Sequence, residues 1–321
     1  MIKVCIIGCG MIANNAHIPA YLENKEDFSI IAVCDFNVEF AKNTAEKFGI
    51  ESYYSSAEEM LKRHTPDLVS VCTPNLSHKE FVALALEYGA NVLCEKPLAT
   101  TYADAKFLFD IAKKQNKILM TCQSLRFLPE RLAAKKLIDN GKVGEVYYAE
   151  ASRIRKRGIP TWGKFHIKSA NGGGALLDIG VHAIDSAIWL MGNPTPKTVT
   201  AVMKKVHADE FCDTKSSGAL KGGVEVKGFN PDEMDVEDFS CGMLKFKNGV
   251  LLKYEGTLSD EADVTIKTVR KALLLMMGGS FEQFSEKAVI EGDKEQLKLI
   301  MSNLNRLSIE NADRFFNIIE P

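Results

Sequence analysis

The sequence predicts an α/β fold in two parts: an N-terminal doubly wound parallel sheet and a second α/β domain. Three observations carry this. Short runs rich in Val, Ile and Leu alternate with longer amphipathic stretches through the first 122 residues. A glycine turn, GCGMIA, follows the first run. The second half then changes character, with alternating runs around Asn248-Gly249, the strongest short signal for a hairpin. A chain of 321 residues is long enough for two domains, read here as 1–122 and 123–321.

The expected strands of the first part are IKVCIIG, FSIIAVCD, DLVSVCTP, NVLCEKP and ILMTCQ. Each is apolar on both faces, as parallel strands covered by helices should be. The expected helices run from Ile12 to Asn24, Val38 to Phe48, Ala57 to His64, His78 to Tyr88 and Tyr102 to Gln115. In this architecture ligands bind at the carboxyl ends of the strands, so the residues that follow each strand are the ones to read.

After the first strand, Gly8, Gly10 and Ala13 fit G-x-G-x-x-G/A. The first glycine permits the tight turn, the second lets the backbone approach a pyrophosphate, and the third small residue lets the helix pack on the sheet. Met11 and Ile12 bring helix N-terminal amides to the phosphates. The second strand ends in Asp35, placed to accept hydrogen bonds from the adenosine ribose. Its other reading is a helix N-cap. Phe36 and Asn37 supply no arginine for a 2′-phosphate, so NAD is expected over NADP; Lys42 lies further on.

The next strand ends supply Thr73-Pro74-Asn75 with His78, then Glu95-Lys96-Pro97, then Gln123 with Arg126. Thr73, Pro74, Asn75, His78, Glu95, Lys96 and Gln123 are read as cofactor contacts. His78 reads equally well as a polar residue of a first helical turn, and Lys96 taken alone as a surface lysine.

GGALLDIGVHAID places Asp178 and His182 four residues apart, on one helix face among Ala, Leu, Ile and Val. Such a pair either satisfies itself in a core or moves a proton. FLPERLAAKKLIDNGKVGE reads as a helix closing with Gly141; VYYAEASRIRKR and TVTAVMKKV read as strands. Arg153, Arg155, Lys156 and Arg157 form a basic cluster, read as a solvated strand edge before a phosphate contact. Trp162 either covers a substrate or packs a core. The stretch DTKSSGALKGGVEVKGFNPDEMD is expected to be a mobile surface loop.

Net charge is −2, which gives no footprint for nucleic acid or an anionic membrane surface. MIKVCIIGCG is interrupted by glycines and reads as a strand, not a signal peptide. No segment is long enough to span a bilayer. The eight cysteines are scattered, without CxxC or zinc spacing. Buried free thiols in a reducing cytoplasm, and no metal, are expected.

GCGMIA, CTPN with His78, CEKP and GGGALLDIGVHAID occur in this order, and from residue 1 to about 260 the sequence resembles the glucose-fructose oxidoreductase / inositol dehydrogenase / rhizopine-catabolism (Gfo/Idh/MocA) family. The resemblance implies an N-terminal Rossmann domain. It also implies a C-terminal domain with a large, mostly antiparallel open sheet that builds homodimers or homotetramers. It makes Lys96, Asp178 and His182 the catalytic group; Arg126 and Trp162 are read from their places in the sequence as further substrate contacts. The implied reaction is NAD-dependent hydride transfer with a secondary hydroxyl of a sugar, inositol or sugar derivative. A non-catalytic cofactor-sensing scaffold and a glycoside hydrolase using transient oxidation are the alternatives. The chemistry agrees: histidine exchanges protons near neutrality, and a lysine stabilises charge on an alcohol oxygen. The sequence departs from the family from about 258 to 300. It then stops at Pro321, after ADRFFNIIEP, where relatives continue into a final helix.

Overall fold

The structure, a computed structural model, describes residues 1–154, 165–206 and 231–257. The chain divides into two compact units, 1–123 with 167–172, and 124–166 with 173–321.

In the first unit six strands form one parallel sheet: β1 (Ile2–Ile7), β2 (Phe28–Cys34), β3 (Ser52–Tyr54), β4 (Leu68–Val71), β5 (Asn91–Cys94) and β6 (Leu119–Thr121). Their order is β3-β2-β1-β4-β5-β6. The winding reverses between β1 and β4, and such a switch point opens a crevice at the strands' carboxyl ends. The connecting helices are α1 (Ile18–Glu23), α2 (Val38–Phe48), α3 (Ala57–His64), α4 (His78–Glu87) and α5 (Tyr102–Lys114).

Their starts are chemically marked. Asn37, Ser56 and Thr101 each accept a main-chain N–H of the first turn through the side chain. The sheet is buried on both faces, by one cluster around Ile7, Val71, Leu86 and Leu108 and another around Val4, Ile6, Ile18 and Val33. Two details differ from expectation. β3 is a three-residue edge strand, too short for a hydrophobic period to reveal. The first helix opens as a π turn, Ala13–His17, before becoming α-helical.

The second unit contains α6 (Pro129–Asp139), β7 (Tyr148–Ile154), a π turn at Leu176–Gly180 running into α7 (Val181–Leu190), β8 (Pro196–Lys204), β9 (Phe239–Phe246) and β10 (Leu251–Thr257). The sheet order is β7-β10-β9-β8, parallel at β7/β10 and antiparallel elsewhere. β9 and β10 form the expected hairpin. Leu251 pairs with Lys245, and Gly249 takes φ 91° in the turn, a conformation open to glycine. α7 covers one face of this sheet through Ala187, against Ala149, Phe246 and Leu252.

The loop expected at 213–235 lies outside the described residues up to 230. Its end departs from the expectation: Met234 and Val236 are buried against Ala175 and Ile179. Arg155, Lys156, Arg157, Trp162 and everything after 257 lie outside the described residues. No described helix is long and apolar enough to cross a membrane.

Candidate active site

Gly8 sits at φ 95°, and a Cβ there would lie 2.7 Å from the carbonyl carbon and oxygen of Cys72, so only glycine fits the turn. A Cβ on Gly10 would meet nothing within 4 Å, which leaves the outside of the turn open to a ligand's phosphates. Ala13 is fully buried against the sheet, while Met11 and Ile12 are exposed. Asn14, not anticipated from the sequence, braces the turn by donating to the carbonyls of Cys9 and Gly10.

Asp35 is buried, and its two carboxylate oxygens accept the main-chain N–H groups of Cys9 and Asn37, both at 2.9 Å. It is not the helix cap; Asn37 is. Asp35 pins the glycine turn to the end of β2.

His78 is fully buried, which corrects its reading as a cofactor contact. Nδ1 lies 2.7 Å from the Pro97 carbonyl oxygen and Nε2 lies 2.8 Å from that of Thr73. It ties the loops after β4 and β5 together from beneath. Asn75 donates to the side-chain and main-chain oxygens of Asn171. Glu95 faces His17, with Oε1 3.0 Å from Nε2, and its other oxygen accepts the N–H of Lys96. Lys96 itself, two residues after the end of β5, is half-buried.

Thr73 Oγ1 and Gln123 Oε1, at the ends of β4 and β6, are buried without a hydrogen-bond partner among the described residues. Buried polar atoms seek partners. With the glycine turn and Asp35, these two atoms make the strand ends fit a dinucleotide rich in hydroxyl and amide groups.

In the second unit, Asp178 lies in the π turn and His182 in the first turn of α7, both half-buried. π turns recur at functional sites because they re-aim side chains within a helix. Glu237 holds the start of this segment, accepting from the N–H groups of Gly174 (3.0 Å) and Leu176 (3.1 Å) through its carboxylate. Arg126, read from the sequence as a substrate contact, has a partner in this unit. Its guanidinium is occupied by Asp185, with Nε donating at 2.7 Å and a second nitrogen to the other oxygen, so it braces α7. The sequence alone does not single out Asp185 as a site residue. It missed Glu237 and His17 because both act through partners far away in the chain.

A glycine turn after β1, an acid at the end of β2 and a switch point beside them define a dinucleotide-binding protein of the Rossmann class. Comparison with known proteins makes this specific. Residues 2–123 match the model of an oxidoreductase family with an NAD-binding Rossmann fold, and 132–268 match the GFO/IDH/MocA C-terminal domain. The chain belongs to the Gfo/Idh/MocA oxidoreductase family.

Residues 231–321 also match an alkyl sulfatase C-terminal model, which covers the stretch where the sequence leaves the family pattern. D-glucoside 3-dehydrogenase of Escherichia coli (strain K12) is 36% identical over 254 residues, 79% of this chain and 69% of that protein. Levoglucosan dehydrogenase of Pseudarthrobacter phenanthrenivorans is 31% identical over 70% of this chain and 58% of its own length. A solved levoglucosan dehydrogenase complex with NADH superposes with a TM-score of 0.67 at 27% identity, covering 81% of this chain and 68% of that one.

Proposed function

We propose that the protein is an NAD-dependent dehydrogenase acting on a secondary hydroxyl of a sugar or polyol. The observation that carries this reading is the retention of all three groups the reaction requires. Lys96 lies two residues after β5, and Asp178 and His182 share the π turn and helix that Glu237 and Arg126 brace. Bound NAD supplies the hydride acceptor. His182 takes the hydroxyl proton, Lys96 donates a hydrogen bond to the oxygen as charge develops on it, and Asp178 orients the hydroxyl. Asp35 rejects the 2′-phosphate of NADP by like charge. Asn37 is occupied as a cap and Phe36 is exposed, so neither offsets that charge.

The names of the relatives support a sugar substrate, since they include dehydrogenases for glucosides, levoglucosan and apiose. Exposed β8, with Val199, Val202 and Met203 open to solvent, supports a homo-oligomer formed through this sheet. The seven cysteines among the described residues are all free, which supports a cytoplasmic site of action. The test is Lys96→Ala assayed over a panel of sugars and inositols. Turnover should fall by at least about a hundredfold while NADH binding, followed by nicotinamide fluorescence, survives. Undiminished turnover would refute the assignment.

A further inference from the structure

We propose that His17, Glu95 and Cys122 form a binding site for a divalent cation of the zinc class. The three are far apart in sequence, which is why zinc spacing is invisible there. The sheet brings them together: His17 ends the π turn after β1, Glu95 directly follows β5, and Cys122 directly follows β6. A ring nitrogen of His17, a Glu95 carboxylate oxygen and Cys122 Sγ all lie within 4.8 Å of one another. The histidine and carboxylate atoms are 3.0 Å apart. Zinc bonds of about 2.0–2.3 Å hold their ligand atoms roughly 3–4 Å apart, so small side-chain rotations close the cluster.

The donor set selects the ion. Nitrogen, oxygen and sulfur together suit zinc, cobalt and their neighbours, whereas magnesium and calcium require oxygen alone. Charge also balances: a carboxylate and a thiolate against two positive charges, with imidazole neutral. On binding, the metal–sulfur bond forms as the Cys122 S–H bond breaks, and the proton leaves to solvent.

Outer partners already fix the ligands. His17 Nδ1 lies 3.3 Å from Ser70 Oγ, which in turn is 2.7 Å from the Tyr21 hydroxyl, and both of these residues are buried. The second oxygen of Glu95 accepts the Lys96 N–H at 3.1 Å. Metal sites use such shells to set the tautomer and angle of the ligands. His17 is buried and Glu95 largely so, which shields both ligand atoms from bulk water.

The full chain, stripped with a chelator, is titrated with Co2+ alone while thiolate-to-cobalt charge-transfer absorption is recorded. The expected result is one Co2+ per chain with this band, displaced by Zn2+. Cys122→Ser should abolish the band, and His17→Asn should weaken binding at least about tenfold. Zn2+ should raise the thermal midpoint of the wild type and leave that of Cys122→Ser unmoved. The proposal is overturned by the absence of the band in the wild type, by its persistence in Cys122→Ser, or by unchanged affinity in His17→Asn. None of these outcomes depends on dehydrogenase activity, so the site stands or falls apart from the proposed reaction.

Discussion

The main-chain oxygen of Glu237 lies 1.9 Å from the point where a Cβ would stand on Gly174. The same oxygen accepts the N–H of Ala175 at 2.8 Å, and the carboxylate takes Gly174 and Leu176. One residue thus covers three main-chain donors that would otherwise be orphaned at the start of the segment carrying Asp178 and His182. Gly174→Ala forces main chain against main chain, and should cost about 1–3 kcal/mol. Glu237→Gln keeps the shape and removes the charge facing the helix's positive end, and should cost about 1 kcal/mol. Denaturant unfolding measures both. NADH binding should survive in each, because the glycine turn belongs to the other unit.

Asp35 holds main chain as well as awaiting a ribose. Asp35→Asn retains one acceptor and turns the other toward a donor, the N–H of Cys9 or of Asn37. NADH affinity should therefore fall about tenfold, the scale of one charged hydrogen bond. NADPH affinity should fall less, because the like-charge repulsion is relieved. Parallel fluorescence titrations give the ratio; a ratio equal to the wild type would remove Asp35 from cofactor selection.

Much of this was legible in the sequence because the signals were local. The period of apolar residues located five of the first unit's six strands, and the spacing of Gly8, Gly10 and Ala13 fixed the turn. Asn248-Gly249 announced the hairpin. The misreadings share one cause, side chains whose partners are remote. His78 looked like a ligand contact because nothing nearby shows that Pro97 and Thr73 enclose it. The partner of Arg126 was invisible because Asp185 lies 59 positions on. His17, Glu95 and Cys122 converge only after four strands, β1, β4, β5 and β6, have paired, and β3 is too short to carry a period.

The Arg126–Asp185 pair separates a brace from a substrate contact. Two nitrogens of one guanidinium meet two oxygens of one carboxylate, a fork that lysine cannot reproduce. Arg126 is one-third exposed, so solvent screening keeps the cost of Arg126→Lys to about 1 kcal/mol. Asp185→Asn should match it, and the double variant should cost less than the sum. A substrate contact would instead raise KM and leave stability alone. Unfolding and steady-state kinetics on the same variants decide between them.

Glu95 should make the first unit acid-labile in a defined window. Burial pushes its carboxyl up, but the hydrogen bond to His17, the charge of His17, and the N–H and charge of Lys96 outweigh burial and hold it below the usual carboxylate range. The folded state therefore keeps the group ionised where the unfolded chain already binds a proton. Its contribution is fully present above the ordinary glutamate value, about 4.3, and disappears as pH falls through the folded value. Glu95→Gln cannot titrate. Urea unfolding from pH 7 down to about pH 3 should show the wild type more stable at neutrality, with the two curves converging in acid as the wild-type carboxylate protonates. A gap that stays constant across this range would mean that the loops after β1 and β5 are held by shape alone, without the charge that faces His17.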